Sequence, residues 1–153
     1  MARAKKVARA KKVISGAKKV IFADVQAYLD AIADNPDDNG NADNANHGRF
    51  WRTTYQDFTS GPVPGENCHG APIPIVGKVP GSPNVDPLQC PFYQAIKNPS
   101  GWCNKGQMPK NGPPKAFITD ASYKVTLKDG TVVTGAEIQA NIESWLKTGL
   151  SEK

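Results

Sequence analysis

Twelve of the chain's thirteen prolines fall between Gly61 and Pro114. Proline fixes φ near about −65° and has no N–H to donate, so no long helix and no central strand can run through this stretch. The spacing predicts a long wrapped segment with little regular structure. Its one helix is expected at Pro91–Lys97, with Phe92, Tyr93 and Ile96 inward. A loop this long in one domain needs something to organise it: a bound cofactor, a disulfide or a binding role.

The regular elements must then lie on either side. Val20, Phe22, Val25, Tyr28, Leu29 and Ile32 recur at helical spacing and predict a helix over Val20–Ala33, ended by Asn35-Pro36. After it, Asn35, Asp37, Asn39 and Gly40 resemble the start of a calcium loop, but Asn46 stands where a bidentate carboxylate would be needed, so a turn is expected. Phe50, Trp51, Tyr55 and Phe58 predict a second, shorter helix seated in the core, with Arg49 and Arg52 at its rim. Beyond the wrap, alternating residues around Asp129-Gly130 predict a β-hairpin. Thr134 and Glu137 form a capping box for a last helix, whose stripe is Ile138, Ile142, Trp145 and Leu146 and whose stop is Gly149. The expected class is mostly α, with one hairpin before the C-terminal helix. The expected division is a basic tail over 1–19, one globular domain over 20–149 and a short tail over 150–153.

Net charge is +5, but it is unevenly placed. The first twenty residues hold Arg3, Lys5, Lys6, Arg9, Lys11, Lys12, Lys18 and Lys19 and no acid, within a repeat of ARAKKV. Residues 21–153 carry eleven basic against fourteen acidic residues. A weakly acidic body therefore wears a basic tail. That tail would suit a protein partner or an acidic surface, with nucleic acid as an alternative. No stretch is long and apolar enough to span a membrane. No secretory signal is recognisable, which gives the cytoplasm as the default compartment.

The three cysteines are Cys68, Cys90 and Cys103, so one bridge leaves one thiol over. Cys90–Cys103 would close a short, Pro-containing loop, but all three pairings remain open. Cys68, His69, Cys90 and Cys103 are acceptable ligand types for zinc, although their spacing matches no compact knuckle.

Cys68-His69-Gly70 keeps the second half of a haem-attachment signature, with Gly65 where the first cysteine would stand. Met108-Pro109, in a Gly/Pro-rich loop, is placed as a distal thioether ligand would be. Together with Gly112-Pro113-Pro114 and the terminal helix, these residues resemble the C-terminal half of class I cytochrome-c-like modules. His47-Gly48-x-Phe50-Trp51-Arg52 further resembles uncharacterised bacterial proteins of that kind that mostly lack a haem motif. The resemblance implies helices around a haem, with Cys68 as a single thioether site and His69 and Met108 as axial ligands, and a periplasmic compartment. With the first cysteine absent, the expectation is a non-enzymatic binding module on that scaffold without standard covalent haem. An electron-transfer protein carrying haem c is the alternative, and a basic-tail binder of nucleic acid or a membrane surface is the third.

Overall fold

A computed structural model of the 153-residue chain describes residues 18–36, 41–109 and 116–153. The elements in order are α1 (Phe22–Ala33), α2 (Asn41–Asn44), α3 (Tyr55–Ser60), β1 (Pro62–Cys68), β2 (Ala71–Pro74), a 3-10 turn (Pro87–Gln89), α4 (Pro91–Lys97), β3 (Lys124–Thr126), β4 (Val132–Thr134) and α5 (Gly135–Lys147). Each sheet is an antiparallel pair. With 36% helix and 14% strand, the fold is mixed α and β, which corrects the expectation of a mostly α class.

The correction comes from the wrap. β1 and β2 pair there as a ribbon whose register breaks between Pro62 and Asn67. A two-stranded ribbon has only edges, so four prolines can occupy strand positions without robbing an inner ladder. His69 and Gly70, at φ +50° and +82°, make the two-residue turn between Cys68 and Ala71. Two successive left-handed residues are what a type I′ hairpin turn requires. The Cys-His-Gly sequence is therefore a hairpin tip.

The flanking elements follow the sequence pattern more closely. α1 buries Phe22, Val25, Tyr28, Leu29 and Ile32 on one face. α4 spans Pro91–Lys97 as expected. β3 and β4 pair Val125 with Val133, and in the five residues between them the Leu127 N–H donates to the Thr131 carbonyl at 2.8 Å, with Gly130 at φ +86° in the turn this closes. Thr134 accepts from the Glu137 N–H at 3.2 Å, and Glu137 accepts from the Thr134 N–H at 2.8 Å, which closes the capping box of α5. The second helix is shorter than its aromatic spacing implied. It starts at Tyr55 under a Thr54 cap, leaving Phe50 and Trp51 in the preceding turn.

Ile138, Ile142, Trp145 and Leu146 are fully buried in the core. Phe58 sits among them as a hub, with ring centroids 5.1 Å from Phe22, 5.2 Å from Phe92 and 6.3 Å from Trp145. Residues 150–153 do not trail off as a tail. The Leu150 N–H donates back to the Trp145 carbonyl at 3.1 Å, so the chain reverses at Gly149 and drives Leu150 into the core. Ser151 then accepts from the Phe22 N–H and from Trp145 Nε1, both at 2.9 Å, joining the end of α5 to the start of α1.

Candidate functional site

The wrap, α1 and the segment after α2 line an open-sided cavity of about 450 Å³. α1 supplies Leu29 and Ile32; the segment after α2 supplies His47, Phe50 and Trp51; the ribbon supplies Val63 and Ile73. α4 adds Phe92, Ala95 and Ile96, and the loop after it adds Trp102 and Met108. The walls are chiefly aliphatic and aromatic. The ionisable groups among the lining residues are His47, Glu66 and Lys105.

Each wall is fixed by its own hydrogen bonds or ion pairs. The Met108 N–H donates to the Ala95 carbonyl at 2.7 Å, and Gln107 Nε2 donates to the Ile96 carbonyl at 2.9 Å. These bonds lay the Met108 loop along α4. The Phe92 N–H donates to the Ile75 carbonyl at 3.1 Å, anchoring α4 to the ribbon's end.

The opposite wall hangs on Arg49. Its guanidinium reaches Asp34 at 2.6 Å, Asp43 at 2.6 Å and Asp30 at 3.6 Å. Arg52 meets Asp30 at 2.8 Å, as does the Trp51 indole N–H. Burial of Asp30 opposes its ionisation, but the Arg52, Trp51 and Lys128 hydrogen bonds outweigh it and hold the carboxyl below its ordinary range. The bonds from Asp43 and Asp34 push the Arg49 guanidinium still higher than usual. The Arg-rich aromatic motif is thus occupied with pinning α1 to the segment behind it.

His47 Nδ1 lies 2.8 Å from the Gly48 carbonyl and donates there, an arrangement that in the uncharged tautomer leaves Nε2 as an acceptor. At the rim, Lys105 and Glu66 pair at 2.6 Å, joining the Trp102 loop to β1. The disulfide joins the same two walls, between Cys68 and Cys103. Cys90 is instead a buried thiol, pushed up to about 12 by its burial. It cannot serve as the bridge partner of Cys103, nor as a ready thiolate.

The residues expected to hold haem do not assemble as a set. The Cys68 sulfur is spent in the bridge and has none left for a thioether. His69 is exposed at the hairpin tip, whereas Met108 is half-buried against the cavity. These residues do not fit haem c. In the sequence His47 stands out only as the first residue of His47-Gly48-x-Phe50-Trp51-Arg52, and nothing there places it in a cavity wall.

Of the basic tail, Arg3, Lys5, Lys6, Arg9, Lys11 and Lys12 lie outside the described residues, as do residues 37–40 of the expected turn. Lys18 pairs with Asp24 at 2.9 Å, and Lys19 Nζ donates to the Lys153 backbone oxygen at 3.0 Å. Among the described residues, no helix is long and apolar enough to cross a membrane. Comparison with family models, curated proteins and solved structures returns no match.

Proposed function

We propose that the protein is a non-enzymatic binding module that takes a small, mostly apolar molecule into the cavity between α1, α4 and the ribbon. The cavity itself carries this reading. Its volume of about 450 Å³ falls within the range of sites that enclose drug-sized ligands. Such sites pair apolar walls with a few convergent polar groups, and here His47 Nε2 offers one acceptor. Phe50, Trp51, Phe92 and Trp102 favour a ring-bearing occupant, and the Met108 thioether can adapt to its outline. The preferred ligand is therefore a flat, uncharged molecule with one hydrogen-bond donor. The basic tail would dock the module on an acidic partner.

Titration of the purified chain with Nile red tests the reading, with native mass spectrometry to detect any carried ligand. Saturable binding of one dye per chain is expected, with emission shifted to the blue. Unsaturable, detergent-like uptake would sink it. A Soret band from protein matured in a haem-competent host would replace the proposed occupant with haem.

A further inference from the structure

Cys68 and Cys103 occupy two tight turns that face each other. His69 and Gly70 turn the ribbon at φ +50° and +82°. Opposite them, Cys103 and Asn104 stand at φ +54° and +57°, and the Lys105 N–H donates across that turn to the Trp102 carbonyl at 3.1 Å. The two sulfurs and a ring nitrogen of His69 all lie within 4.8 Å of one another. The geometry points to a second, reduced state in which Cys68, Cys103 and His69 bind one zinc-class cation, with water as the fourth ligand.

The chemistry balances with a dithiol as reductant. The dithiol gives two electrons and two protons to the Cys68–Cys103 bond and becomes its own cyclic disulfide. The cation then forms two metal–sulfur bonds and one metal–nitrogen bond, displacing the two thiol protons, while His69 binds as the neutral ring. Tetrahedral zinc, with Zn–S of about 2.3 Å and Zn–N of about 2.0 Å, sets its sulfurs about 3.8 Å apart and each about 3.5 Å from nitrogen. Those separations lie inside the observed 4.8 Å spread. The sulfurs must part from bonding distance, and rotation about their Cα–Cβ bonds is enough with the Cα atoms 5.9 Å apart.

The turns do not depend on the bridge to stay together. Lys105 and Glu66 still join them at 2.6 Å, and the Gly106 N–H closes the second loop onto the Ser100 carbonyl at 3.1 Å. Cys68 and Cys103 are half-buried and His69 is exposed, so reductant and cation can both reach the site. Two thiolates and an imidazole select zinc or copper(I) over magnesium or calcium. Cys90 is fully buried and takes no part.

The test reduces the full chain anaerobically with dithiothreitol, removes the reductant and titrates with Co2+, followed by Zn2+ in competition. Reduced wild type and Cys90→Ala should each bind one Co2+, with thiolate charge-transfer and tetrahedral ligand-field bands that Zn2+ erases. The oxidised chain, Cys68→Ser and Cys103→Ser should show none. His69→Gln should keep the charge-transfer band, alter the ligand field and bind roughly tenfold or more weakly. Circular dichroism establishes that each variant is folded; if a serine variant is not, the oxidised chain and His69→Gln still decide. Absence of the bands from reduced wild type, their presence in the oxidised chain, unchanged binding by His69→Gln, or their loss from folded Cys90→Ala would overturn the assignment.

Discussion

The Tyr93 hydroxyl donates to Glu143 Oε1 at 2.7 Å, fastening α4 to α5. Lys97 reaches the same oxygen at 2.8 Å and lies over the Tyr93 ring. The Lys97 and Tyr93 hydrogen bonds hold the Glu143 carboxyl near about 2, against an ordinary 4.5. Between those values the unfolded chain takes up a proton that the folded chain refuses. The stabilisation is thus complete above pH 4.5 and is lost as pH falls towards about 2. Glu143→Gln is expected to cost about 1–2 kcal/mol near neutral pH, after discounting for solvent. Urea unfolding across the acid range should show that cost vanish by about pH 2. A constant difference would mean that the carboxylate's charge is not what matters.

At the start of α5, the Thr134 side chain caps the Glu137 N–H. Thr134→Ala should destabilise the chain by about 1 kcal/mol, the usual cost of a lost cap. Thermal unfolding measures it, and Thr134→Ser should recover most of the loss because its hydroxyl makes the same bond.

That cap was legible because every signal involved is local. So were the apolar stripes of α1 and α5 and the turn at Gly130. The β1–β2 ribbon was not, because Pro62, Pro64, Pro72 and Pro74 mask a strand pattern that only an isolated ribbon tolerates. His69-Gly70 was visible as a dipeptide, but beside Cys68 its turn chemistry read as a haem motif. The cavity was harder still. Leu29, His47, Ile73, Ile96 and Met108 converge only once α4 docks on the ribbon, and no spacing encodes that docking. The pairing of Cys68 with Cys103 across 35 residues also depends on two turns meeting in space. Leu150, beyond the expected stop at Gly149, belongs to the core because of a backbone reversal rather than a periodicity.

Ala95 offers a way to close the cavity from within. It lines the space from the half-buried face of α4, and its carbonyl holds the Met108 N–H. Ala95→Trp should obstruct the middle of this space and abolish saturable Nile red binding. Stability should change by less than about 1 kcal/mol, because the side chain enters empty apolar space rather than a packed core. Undiminished dye binding would place the dye elsewhere on the molecule.

Arg49 tests the opposite wall. Its side chain is only 10% exposed and faces Asp30, Asp34 and Asp43. Arg49→Met keeps the apolar stem but takes the guanidinium from Asp34 and Asp43, both half exposed, while Asp30 keeps Arg52, Trp51 and Lys128. The expected cost is about 1 kcal/mol, the upper end for ion pairs open to solvent. Arg49→Lys should recover only part of it, since an ammonium cannot fork between partners as a guanidinium does. Chemical unfolding of both variants at low and high salt measures the difference. Full recovery by lysine would show that charge alone suffices.

The disulfide closes a loop of 35 residues, for which chain entropy predicts a stabilisation of about 4 kcal/mol. Reduction should lower the unfolding free energy by about 2–4 kcal/mol, and Cys68→Ser with Cys103→Ser should match the reduced wild type. Bound zinc should restore part of the loss, because a cation that binds only the folded chain stabilises it in proportion to its occupancy. The recovery should grow with zinc concentration in reduced wild type and be absent from the double variant. Guanidinium unfolding with and without zinc separates the two effects. Equal stability before and after reduction would mean that the bridge does not restrict the unfolded chain as loop closure requires.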